Sequence, residues 1–352
     1  MESAAPQPTV KVSPRRLRLE QGGLLLVIVL LGVLLTALAG CHVDSQTGRT
    51  VNNFLNANTL LQTATDASFF AIMAVGATMV IISGGIDLSV GSVFALAGVG
   101  MALGLRAWHL DGPAAVLTGL GLSVGIGLVC GLLNGLLIVN LRVHPFIVTL
   151  GTMWVFRGLA FVSSHAESIL IPDALTAVVK SSLGLPSTLA PLPMLIMIAV
   201  AAVGSIFLTN VVTGRHIFAV GGNVEAARYA GLRTGRVFTV VYALAGLTAG
   251  IAAFLGGSFY GSASCADATG YELYVIASAV VGGASLQGGR GSVISAMLGA
   301  ILITLIRQSI RTLHFDQNYE WIIIGCAIIV AVVLDRVSQQ VNERRLARSA
   351  GA

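Results

Sequence analysis

Apolar runs of about 17–27 residues follow one another down this chain, separated by short polar breaks. In hydrocarbon every backbone N–H and C=O must find its partner inside the protein, so only helices or a closed barrel can span. A barrel would show roughly ten-residue alternating strands, and runs of this length read as helices instead. Spans are expected at 22–40, 60–82, 86–105, 113–139, 146–164, 192–210, 237–257, 271–285, 291–308 and 319–335. The eighth is short and flanked by glycines, which suits a half-helix or re-entrant element. The expected class is therefore an all-α polytopic membrane protein with about ten transmembrane helices. Composition agrees: only 10% of residues are charged, against about 25% in soluble domains. The 42 glycines suit close helix–helix contact in a bilayer.

An even number of spans puts both termini on one side. With the N-terminus inside, fourteen of the 20 lysines and arginines fall on the inner side, five fall outside and Arg157 lies within a span. That is a positive-inside bias. The chain then divides into a basic cytoplasmic tail at 1–20, a single transmembrane domain at 21–336 and a second cytoplasmic tail at 337–352. The first tail, polar and Pro-containing, is expected to be disordered. "RRLRLEQGGLLLVIVLLGVLLTALAGC" has the outline of a signal peptide, but a chain with many later spans favours an uncleaved first helix. Net charge +5 without an aromatic-studded basic patch gives no reason to expect nucleic acid. Cys41, Cys130, Cys265 and Cys326 are isolated, with no Cys-x-x-Cys pair, and the six histidines are scattered. Neither a metal site nor a cofactor is expected.

Two polar segments exceed turn length. Residues 165–190 fall outside and suit a lid or a partner contact. Residues 213–236 fall inside, and their "NVEAARYAGL" fits a helix of about two turns, with Asn223 as N-cap and Glu225 near the positive end. Gly231 is placed to stop it. Such a helix could seat in a groove on a cytosolic protein or lie on the lipid interface, and spacing alone does not choose. In "IISGGIDLSVGSVF" (81–94), Gly84 and Gly85 break one helix, and Asp87 with Ser89 can cap the next. A carboxylate there is expensive unless it is paired, so a gate role stands beside the capping one. In 134–161, Thr149 and Thr152 share a helix face, with Arg157 close to it. That arginine can pair within the bundle, snorkel or line a polar path.

Residues 271–300 are dense in glycine around Gln287 and Arg290, which permits left-handed turns and close backbone approach. They do not form a phosphate loop, since neither lysine follows a glycine. "GLSVG" at 121–125 matches a nucleophile elbow by chance, inside an uninterrupted apolar helix.

Four segments, "SGGIDLSVGSVFALAGV", "NGLLIVNLRVHPFIVTLGTMWVFRGLAF", "AVGGNVEAARYAGL" and "GYELYVIASAVVGGASLQGGRGSVISAMLGA", together resemble the membrane subunits of bacterial ATP-binding-cassette importers for ribose and related monosaccharides. The resemblance covers about residues 60–335, in order. It implies a fold similar to the vitamin B12 importer's membrane subunit (type II). It further implies a second permease copy, identical or related, a cytoplasmic cassette ATPase, a periplasmic sugar-binding protein and a location in the bacterial inner membrane. Membrane lipid and the sugar itself complete the expected partners.

The Glu-Ala-Ala loop becomes a coupling helix: Gly221, Gly222, Asn223, Glu225, Ala226, Ala227, Arg228 and Gly231. Gly84, Gly85, Asp87, Ser89 and Gly91 become the inner gate. Asn134, Phe146, Thr149, Thr152 and Arg157 are the expected path lining. An ion-coupled secondary transporter is the alternative, because broken helices and a buried carboxylate also suit ion coupling.

Overall fold

The computed structural model describes residues 14–43, 48, 50–184, 190–327, 329, 330 and 333. Among these, eight helices are long and apolar enough to cross a membrane: α1 (Pro14–Leu38), α2 (Ala57–Ile82), α3 (Val90–Ala107), α4 (Gly112–Leu141), α5 (Pro145–Ser164), α7 (Leu192–Asn210), α10 (Thr234–Tyr260) and α12 (Val293–Thr312). Shorter helices are α6 (Asp173–Val179), α8 (Val212–Gly222), α9 (Val224–Tyr229) and α11 (Tyr271–Val281). Two small antiparallel pairs complete the set. β1 (Cys41–Val43) pairs with β2 (Thr50–Asn52), and β3 (Ile169–Leu170) with β4 (Ser262–Ala263). Residues 319–327 are helical again, and the expected tenth span continues into residues partly outside those described. Residues 1–13 and the closing tail 337–352 also lie outside them.

The polytopic all-α reading holds, with local differences. The first helix starts at Pro14, inside the stretch expected to be disordered. Proline suits a first helical position, and the Arg, Leu, Glu and Gln that follow are good helix formers. The third span starts at Val90 rather than 86, because residues 83–89 form an irregular turn with Gly84 at φ +85°. The half-helix expected at 271–285 ends at Val281, where Gly282 follows and Gly283 takes φ +89°. The expected loop 213–236 is mostly helical, as α8 and α9. Part of 165–190 forms β3 and α6, and residues 185–189 fall outside those described.

Helix α2 is the axis of the bundle. From Thr65 to Ile82 it is buried without interruption, against α7, α10, α11 and α12. Helix α3 sits between α4, α5 and α10, while α1 leans on α12 at the rim with most of its surface exposed. The most extensive helix contact is α4 with α10. Gly127, Gly131 and Gly135 recur every four residues on α4 and face Thr239, Tyr242, Gly246 and Gly250 on α10. A Cβ on Gly131 would lie 2.2 Å from the Tyr242 carbonyl oxygen, and one on Gly246 2.1 Å from that of Gly127. Lipid gives no hydrophobic drive between helices, so this van der Waals closeness supplies the association. Ser123 adds an interhelical hydrogen bond, its Oγ donating to Gly250 O at 2.8 Å.

Overpacking that seam tests its importance. Gly131→Leu is expected to destabilise the purified protein by about 1–3 kcal/mol or more in thermal denaturation. Gly125→Leu, whose Cβ would meet nothing within 4 Å, should leave the melt nearly unchanged.

Candidate functional site

One end of the bundle gathers the turn 83–89, the short helices α8 and α9, and the 282–292 loop between α11 and α12. Helix α9 forms because Asn223, in extended backbone, accepts the Ala226 N–H on its Oδ1 at 2.9 Å. It ends because Gly231 adopts φ +83°, which lets Leu232 N–H reach back to Ala227 O at 3.0 Å. Ala227 is its one buried residue, pressed among apolar side chains that include Val220 and Val237. Glu225, Ala226, Arg228 and Tyr229 face outward, and Tyr229 is 90% exposed. The helix therefore offers a small apolar surface flanked by one acid and one base.

The turn 83–89 is held from within and by three helices. Asp87 Oδ1 accepts from Ser89 N–H at 2.8 Å and from the Ser89 hydroxyl at 2.6 Å. Asn134 of α4 donates through Nδ2 to Ser89 Oγ at 2.8 Å. The Ile86 carbonyl accepts from the Tyr242 hydroxyl of α10 at 3.1 Å and lies 3.2 Å from the Thr149 hydroxyl of α5, which also reaches Pro145 O at 3.0 Å. Asp87 thus caps the residue preceding α3, and Ser89 occupies the N-cap position without a side-chain cap bond. Two groups that the sequence keeps apart meet here. Asp87 and Ser89 from the gate set share one buried network with Asn134 and Thr149 from the path set.

The remaining candidates are dispersed. Gly84 and Gly85 lie in the same turn, and Gly91 begins α3 beside Ala268 and Glu272. Phe146 is exposed near the start of α5, and half-buried Thr152 donates to Thr149 O at 3.3 Å. Arg157 grips another piece of irregular backbone. Its Nη1 donates to Cys265 O at 2.7 Å and Asp267 O at 2.6 Å, and its Nη2 to Ala268 O at 3.4 Å. Hydrogen bonds from a charged donor contribute about 1.5–3 kcal/mol each. Burial pushes the Asp267 carboxyl up, against the pull of the Ser264 N–H and of Arg157.

Sequence reasoning passed over two features. Tyr242 is fully buried, and the only hint of it is one aromatic among small residues in "VVYALAGL". The other is a charged and aromatic cluster near the start of α2 and the end of α12. Arg311 Nη2 pairs with Asp66 Oδ2 at 3.1 Å, and Asp66 Oδ1 accepts from Gln62 at 3.0 Å and from Tyr260 at 3.4 Å. Arg307 Nε lies 2.7 Å from Glu320 Oε1, an ionic contact whose geometry is not that of a directed hydrogen bond. The Tyr274 hydroxyl donates to the same Glu320 oxygen. The Arg307 guanidinium sits 5.2 Å from the Phe70 ring centre and 5.1 Å from that of Tyr274, a cation between two π faces. A lone carboxylate inside a long span, Asp66, was the available signal.

A family profile described as the permease component of a branched-chain amino acid transport system matches residues 59–332. The D-allose transport system permease protein AlsC of Escherichia coli K12 is 34% identical over 286 residues, covering 81% of this chain and 85% of its own. A probable ABC transporter permease protein, y4mJ of Sinorhizobium fredii, is 37% identical over 268 residues, 76% of this chain and 78% of its own. The ribose import permease protein RbsC of Escherichia coli K12 is 34% identical over 288 residues, 82% of this chain and 88% of its own.

The Asp66–Arg311 pair generates a direct test. Asp66→Asn and Arg311→Gln should each lower the melting temperature, while the double variant falls by less than the sum. The coupling expected from such a cycle is about 0.5–3 kcal/mol.

Proposed function

The chain belongs to that permease family, and from this premise we propose that it forms the membrane path of an ATP-driven importer carrying a pentose-like or related monosaccharide. Hydrolysis then belongs to a separate cytoplasmic cassette subunit, and a binding protein delivers the sugar from outside. A second copy of the chain completes the path, in the bacterial inner membrane with both termini cytoplasmic. The sugar reading is supported by the names of the relatives, which transport D-allose or import ribose.

The observation that carries the mechanical half of the proposal is the bare outer face of α9. Its outward residues Glu225, Ala226, Arg228 and Tyr229, the last 90% exposed, make a face that a groove on another protein could cover. When the cassettes close on ATP, α9 moves as a rigid body and the spans repack between two arrangements. The path needs only weak polar contacts, since a site that held the sugar tightly in both arrangements would not release it. An ion-coupled carrier has no comparable use for α9.

Vesicles containing the chain, its cassette ATPase and its binding protein should accumulate labelled ribose or allose only when ATP is supplied. Uptake by the chain alone, driven by a proton or sodium gradient, would falsify the proposal. Glu225→Arg is expected to insert normally yet lose co-purification with the ATPase; full recovery of the complex would remove α9 from that role.

A further inference from the structure

Three glycine-bearing segments, far apart in sequence, touch through their backbones. They are the end of α2 with its turn (Ile82, Gly84), the end of α8 (Gly221, Gly222) and the loop between α11 and α12 (Gly288, Gly289). Gly289 N–H donates to Ile82 O at 2.8 Å, joining the loop to α2. A Cβ on Gly221 would lie 1.6 Å from Ile82 O and 2.7 Å from Gly289 N. One on Gly288 would lie 2.6 Å from Gly221 O and 3.1 Å from Gly84 Cα, and one on Gly289 2.9 Å from Gly222 Cα. The atoms that a Cβ on Gly221, Gly288 or Gly289 would meet first are all backbone. A side chain can change rotamer and absorb a shift, whereas main chain packed on main chain passes it on.

What each segment leads to gives the contact its meaning. Gly222 is followed by Asn223 and α9. Gly84 lies in the turn whose Ile86 and Ser89 are tied to α4, α5 and α10. Gly288 and Gly289 connect the half-helix α11 to α12. We infer that Gly221, Gly288 and Gly289 are positioning residues for coupling, forming a rigid joint through which a displacement of α9 reaches the 83–89 turn and α11 together. The inference rests on the reading of α9 as the element an ATPase moves.

Gly221 offers the cleanest variant. It lies in the last turn of α8 without positive φ, so alanine there brings no backbone strain and a better helix former. Only the added methyl disturbs the joint. In the reconstituted assembly, Gly221→Ala is expected to raise the number of ATP molecules hydrolysed per labelled ribose or allose imported, or to lose import altogether. Gly32→Ala on α1, whose methyl meets nothing, keeps the original ratio. An unchanged ratio in Gly221→Ala would overturn the joint.

Folding failure of that variant is covered by a second measurement on the chain without it. Spin labels at Ala219→Cys and Gln287→Cys, both exposed, flank the joint from α8 and from the loop. The exposed Cys41 and Cys326 are first replaced by serine. The label separation should be the same without nucleotide and with the cassettes trapped closed; a separation that follows the nucleotide state would defeat the inference. Absence of ATP-driven import in the unsubstituted assembly is a different result, striking the reading of α9 and not the joint.

Discussion

Irregular backbone inside an apolar bundle must be satisfied by protein, and the arrangement of this molecule follows from that demand. Among the described residues, the stretches 83–89, 261–270 and 282–292 leave helical geometry against the bundle. Each is answered by dedicated partners. The Ile86 carbonyl meets a threonine and a tyrosine from two helices. Three carbonyls of the 265–268 stretch receive one arginine. In the 282–292 loop, Ser285 N–H bonds Arg290 O, Gly288 N–H bonds Ser285 O, and Gly289 N–H bonds α2. Tyr242 and Arg157, polar groups that look costly in a membrane sequence, are where this backbone needs them.

That economy links fold and movement. The glycine seam of α4 and α10 brings Asn134 and Tyr242 to one level, and both then reach the 83–89 turn. The same turn is pressed at Gly84 by the loop that follows α11. At the other end, Arg307 and Arg311 tie α12 to Glu320 and Asp66. The broken helices are thus fastened at both ends, and the bundle is better suited to discrete repacking than to gradual bending.

Much of this was legible from residues alone, for local reasons. Asn223 and Gly231 bracket α9 because N-cap and left-handed stop signals act over a few residues. The glycines at 282–283 announced a short helix in the same way. What stayed hidden was contact between distant segments. Asp66 and Arg311 are separated by 245 positions, and nothing in either neighbourhood names the other. The merging of gate and path candidates around Ser89 was equally invisible, because helical periodicity tells which residues share a face but not which face meets which. The early start of the first helix was missed for a different reason: a polar, basic composition reads as disorder even where its residues favour a helix.

The grip of Arg157 carries a consequence for how this sequence can drift. A flat guanidinium offers several donors at fixed angles, so one side chain spans three oxygens. An ammonium group keeps the charge but concentrates it at a point, and would strand at least one of them away from water. The exchange of arginine for lysine, which most substitution tables treat as mild, would here open a fault in the interior of the bundle.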